Sequence, residues 1–162
     1  MRRAVLITLI LALPACGAPV AAPDAANATY QIERASVTLV AGRAEVPAAP
    51  GSAAKAVTTL GSRATGDLDG DGRPDVAAIL VQQPGGTGTF TYVAVLQNLA
   101  GGVTATNAVL VGDRVNVQAI RVDGRTVVIE YLDRRPGEPF SATPSVATTK
   151  KLVLSDGQLI AA

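Results

Sequence analysis

Beyond an Ala- and Pro-rich stretch that ends near Thr29, apolar residues fall into short runs bounded by Gly, Pro or Asp-Gly. Tyr30 to Val40 is rich in β-formers, and Ala41-Gly42 separates it from Arg43 to Val46, which predicts a first hairpin. Residues 52–60 fit two elements: Ser52 could cap a short helix ended by Gly61, whereas Val57-Thr58-Thr59-Leu60 favours a strand, the reading preferred here. Val76 to Gln82 is apolar at nearly every position, the pattern of a central strand covered on both faces. Thr89 to Leu96 instead alternates, placing Phe90, Tyr92, Ala94 and Leu96 on one face. Val103 to Val111 follows. Val115 to Val122 alternates but changes phase at Ile120, so a β-bulge near Ala119 would keep both halves facing the core. Asp123-Gly124 predicts a hairpin into Thr126 to Leu132, and Asp156-Gly157 another, joining Lys150 to Leu154 with Gln158 to Ile160. About nine short strands with no sustained helical period make an all-β antiparallel sandwich or open barrel.

The first residues have a different pattern. Met1-Arg2-Arg3 precedes an apolar run of about ten residues, Ala4 to Leu13, which is too short to span a bilayer and has the layout of a secretory signal. Leu13-Pro14-Ala15-Cys16-Gly17 resembles the lipobox of bacterial lipoproteins. That resemblance implies that residues 1–15 are removed and that Cys16, the only cysteine, carries the lipid. It also implies a cell-envelope location, with the outer membrane favoured in a diderm because Gly and not Asp follows the Cys. Residues 16–29 then read as a flexible tether and residues 30–162 as the domain. Loss of Arg2 and Arg3 takes Lys+Arg from 14 to 12 against 13 Asp+Glu, so the mature chain is near neutral. Neither the basic footprint of a nucleic-acid binder nor an acidic tail is present.

One stretch carries chemistry. In Gly66-Asp67-Leu68-Asp69-Gly70-Asp71-Gly72-Arg73-Pro74-Asp75, four carboxylates crowd a tight loop and repel one another unless a hard cation sits between them. Asp67, Asp69 and Asp71 alternate, so a curled backbone turns their side chains inward, and Gly70 and Gly72 allow the positive φ angles of that curl. The Arg73 carbonyl would add a main-chain oxygen, and Asp75, directly or through water, would close the ring around one structural Ca2+. An EF-hand is disfavoured, because its position 12 is a bidentate Glu and here it is Ala78. A solvated Asp/Gly turn is the plainer alternative. The loop resembles that of FG-GAP and VCBS-type repeats, Asp-x-Asp-Gly-Asp-Gly-x-x-Asp before an apolar strand, and Gly86 to Phe90 is similar to a segment that follows in that family. The resemblance implies the same ligand set, Asp67, Asp69, Asp71, Arg73 through its carbonyl, and Asp75. It does not imply a propeller, since the loop occurs once.

Composition narrows the remaining chemistry. The chain has no His, which removes Ser-His-Asp and Cys-His nucleophile systems and imidazole zinc sites. Ser52-Ala53-Ala54-Lys55 matches the Ser-x-x-Lys element of serine β-lactamases, without its companion motifs. Glu130, Asp133 and Glu138 read as solvated charge. Asp133 to Phe140 places Arg134 and Arg135 beside an aromatic on a proline-stiffened loop, suited to a carboxylate or phosphate on an envelope protein or polysaccharide. The expected function is therefore a non-enzymatic binding or accessory module held at the membrane by lipid. The alternatives are an inhibitor or assembly partner of an envelope enzyme and, third, a small hydrolase.

Overall fold

The computed structural model describes residues 20–162; the segment expected to be a signal (1–15), Cys16 and the first residues of the expected tether lie outside them. A single 3₁₀ turn, Ala25–Asn27, is capped by Asp24 and precedes twelve strands. These are β1 (Thr29–Ile32), β2 (Ala35–Thr38), β3 (Arg43–Pro47), β4 (Lys55–Gly66), β5 (Asp75–Gln83) and β6 (Phe90–Leu99) in the first half. The second half holds β7 (Gly102–Ala105), β8 (Val109–Asp113), β9 (Asn116–Asp123), β10 (Thr126–Asp133), β11 (Val146–Ser155) and β12 (Gln158–Ala161). No helix among the described residues is long and apolar enough to cross a membrane.

All pairings between strands are antiparallel and no sheet closes into a barrel. The central sheet runs β3-β4-β5-β6-β7, and β8 continues along the same edge of β6. A second sheet, β12-β11-β10-β9, covers one face, and the β1-β2 hairpin covers the other. β5 shows why its sequence is so uniformly apolar. Ala77 and Ile79 pack with Val93, Val95, Val127, Ile129 and Leu152 on one side. Val76, Ala78 and Leu80 pack with Tyr30, Ile32, Leu39 and Leu96 on the other. The sandwich therefore has two hydrophobic layers with β5 and β6 between them.

Twelve strands arise where about nine were expected, because two runs break and the ambiguous residues 52–60 contribute a strand. Tyr30 to Val40 folds back on itself at Glu33-Arg34, with Glu33 at φ 54°, so the expected hairpin across Ala41-Gly42 shrinks to a single Val40–Arg43 bridge. β3 pairs with β4 instead. The run from Val103 to Val111 breaks at Thr106 to Ala108. There the Thr106 hydroxyl accepts from Val95 N (3.0 Å), and Asn107 leaves the ladder. Its side chain donates to Leu159 O (3.1 Å) and accepts from Leu159 N (2.7 Å), stitching β12 to the central sheet. Residues 52–60 resolve as a strand from Lys55 onward, while Ser52 accepts from Ala54 N in the turn before it. β-branched Val57, Thr58 and Thr59 suit that place between β3 and β5. β11 begins at Val146, four residues earlier than its apolar run suggests. The bulge near Ala119 is present, since Glu130 pairs with Ala119 but Tyr131 with Val117.

Candidate metal centre

The acidic loop joins β4 to β5 and is closed by the pair Gly66–Asp75. Gly66 sets its approach to the second sheet. A Cβ there would lie 2.5 Å from Val122 Cγ1 of β9, so only glycine lets β4 end this close. Leu68 anchors the loop from within. It is 1% exposed and belongs to the layer containing Val127, Ile129 and Leu152. With Leu68 turned inward, its neighbours Asp67 and Asp69 lie on the outer side. Gly70 and Gly72 take φ 86° and 82°, the left-handed values that the curl needs.

The carboxylates organise the loop backbone. Asp67 accepts from Gly70 N (2.7 Å) and Gly72 N (2.9 Å), Asp69 from Asp71 N (3.0 Å), and Asp71 from Arg73 N (2.8 Å). This brings one oxygen from each of Asp67, Asp69 and Asp71 within 4.8 Å of one another. Oxygens bound to a single Ca2+ at 2.3–2.6 Å lie at most about 5 Å apart, so the three form a group that could hold a metal ion. Unneutralised, each pair of charges at that separation repels by roughly 3 kcal/mol at a near-surface dielectric. Arg73 gives partial relief, its Nε 3.6 Å from Asp71 Oδ2.

Asp75 is placed differently. It is fully buried at the start of β5, with Oδ2 accepting from Leu68 N and Oδ1 from Asn98 N, both at 2.9 Å. Burial pushes its pKa above the ordinary carboxylate value, the two backbone donors oppose this, and Asp69 and Asp71 add to it. Asp75 thus holds the base of the loop to the end of β6, behind the three converging carboxylates.

Two residues that pattern reading passed over complete the surroundings. Arg125, in the β9–β10 turn, donates Nε to Leu68 O (3.1 Å) and its terminal nitrogen to Asp69 O, so the second sheet grips the loop backbone. Asn98 donates its side-chain amide to Pro74 O (3.3 Å) and to Ala21 O (2.9 Å), linking loop and tether. Neither follows from a motif, because both contacts depend on how distant strands pack.

The other sequence candidates are dispersed. Lys55 pairs with Glu45 (3.0 Å), while the Ser52 hydroxyl serves its own turn. Glu130 pairs with Arg121, and Arg135 with Glu138. Arg134 spends its guanidinium on the carbonyls of Ala142, Asp113 and Arg114, and Arg114 binds the Thr87 carbonyl. Between those two arginines lies the Phe140 ring, 4.9 Å from Arg114 Cζ and 5.9 Å from Arg134 Cζ, yet 62% exposed.

No protein-family model matches the chain, nor does any curated protein or solved structure.

Proposed function

We propose that this protein is a lipid-anchored, calcium-stabilised β domain of the bacterial cell envelope that acts as a non-enzymatic binding or accessory module. The observation that carries the calcium part is the convergence of Asp67, Asp69 and Asp71 at the head of β5, a core strand buried on both faces. An all-oxygen, multi-carboxylate set on a glycine-containing loop suits Ca2+ better than Mg2+, which demands a tighter octahedron. Asp67, Asp69 and Asp71 would hold the ion, with the Arg73 carbonyl and a water ordered near Asp75 as further oxygens. The ion would supply the positive charge that cancels repulsion among the carboxylates. The anchor rests on the lipobox-like Leu13 to Gly17 and on Cys16.

Thermal melting with and without chelator tests the ion. Calcium at a hundred times its Kd should add about 2.7 kcal/mol, a rise of roughly 5–10 °C in Tm for a domain of this size. An unchanged Tm removes calcium from the reading. Mass spectrometry of the N-terminal peptide tests the anchor: Cys16 should carry diacylglycerol.

The second reading, an inhibitor or assembly partner of an envelope enzyme, is favoured by the exposed Phe140. An apolar ring held in place by two arginines is an anchor of the kind that interfaces bury. Co-purification of one envelope enzyme with the native chain but not with Phe140→Ala would support it over a purely structural module.

A further inference from the structure

The strand register gives this domain two distinct ends. At one lie the acidic loop, the β6–β7 turn at Ala100-Gly101, the β9–β10 turn carrying Arg125, and the β11–β12 turn at Asp156-Gly157. At the other lie the Gly85 to Thr89 loop, Arg114, and the segment after β10 with Phe140. β6 separates them, and its ten residues at about 3.3 Å each put roughly 30 Å between the ends. The tether belongs to one end only. Asn98 donates to Ala21 O at 2.9 Å while its other bonds hold Pro74 O and the Asp75 carboxylate, so the tether is fastened to the base of the acidic loop.

We infer that Asn98 fixes the orientation of the domain on its membrane: the acidic-loop end faces the lipid headgroups, and the Phe140 end points away from them. This rests on the lipid anchor at Cys16 proposed above. Cys16 precedes Ala21 by five residues, and a fully extended chain covers at most about 3.6 Å per residue, or about 18 Å. That is shorter than the domain is long. From Asp24 on the chain is built into the fold, with Ala25 buried and Ala26 O accepting from Gly42 N. Without the Asn98 bond the run from Cys16 to Asp24 would be eight residues, about 29 Å extended, enough for either end to approach the surface; pinned at Ala21 it is five. The partner of the loop end is thus the headgroup layer itself, and the Phe140 end is the one open to a soluble partner.

The test uses the full lipidated chain in phospholipid vesicles. With Cys16 acylated, an introduced cysteine is the only free thiol. Gly101 and Gly86 suit labelling, because a Cβ at either meets open space and neither needs a positive φ. A fluorophore on Gly101→Cys should be quenched by headgroup-attached nitroxide at least about threefold more than one on Gly86→Cys, given the strand length between them. Adding Asn98→Ala, with circular dichroism confirming the fold, lengthens the free run from five residues to eight and should narrow the difference between the two values at least about twofold. Flotation with the vesicles reads the anchor separately. A chain that stays in the aqueous phase overturns the anchor, and the orientation with it. One that floats but is quenched equally at both positions overturns the orientation alone. A difference left undiminished by Asn98→Ala overturns the role given to Asn98.

Discussion

Asp75→Ala is the most informative single change in this domain. The buried carboxylate satisfies two main-chain donors, Leu68 N and Asn98 N, each at 2.9 Å. Alanine leaves both N–H groups without an acceptor where water does not reach, and a buried unpaired donor costs about 1–3 kcal/mol. Against this, the change removes a carboxylate whose burial raises its pKa, so the ionised side chain was itself disfavoured. The net loss should be about 2–4 kcal/mol, a large part of the 5–15 kcal/mol typical of a domain. Urea unfolding at pH 7 in chelator reads it as a lower midpoint with unchanged slope. A loss below about 1 kcal/mol would refute the reasoning, because it would mean that the two donors find water or new partners. Asp75→Asn sharpens the test, since it keeps one acceptor oxygen and cannot ionise. Between the ordinary value of 3.8 and its raised folded value, Asp75 binds more protons folded than unfolded. Stability should therefore fall as pH rises through that window and then level off. The Asn variant should lose this slope, and calcium, by favouring the ionised form, should shrink it in the native chain.

Leu68→Ala should destabilise by about 2–5 kcal/mol in urea unfolding, because the side chain is fully enclosed by the layer against the second sheet. Asp69→Asn should leave stability in chelator nearly unchanged while weakening calcium binding at least tenfold by titration calorimetry, since it removes a charged ligand from the cluster. Arg125→Ala should do the reverse. It loses two loop carbonyl contacts from an exposed side chain, costing about 1 kcal/mol, but removes a positive charge beside the carboxylates and so should tighten calcium binding.

How much could be read ahead of the structure depended on whether a feature is local. The two-sided burial of β5 follows from its unbroken apolar run, and the bulge follows from a phase change within one strand. The loop's glycines take the predicted left-handed angles because the need for them is written in five consecutive residues. The breaks at Glu33 and Asn107 were not legible. Glutamate is no turn former, and its positive φ is held in a tertiary setting where its carboxylate accepts from Tyr92 OH, 59 residues away. Asn107 leaves its ladder for Leu159, 52 residues on. Even the Asp-Gly hairpin at residue 123 turns on Gly124-Arg125, with Asp123 still paired to Thr126, and that phase is what brings Arg125 over the loop. Asp75 was expected beside the other carboxylates; the structure shows it gripping main chain from behind them.

The Asn107 amide has a consequence beyond holding two layers together. β12 is the outermost strand of its sheet, and such a border normally offers backbone donors and acceptors to any extended chain that comes near. By occupying both the N–H and the C=O of Leu159, one side chain stands in for a missing neighbour and blocks the middle of that border. An extended chain arriving alongside would find that position already taken. A single carboxamide, supplied from the neighbouring layer, does there what a thirteenth strand would do.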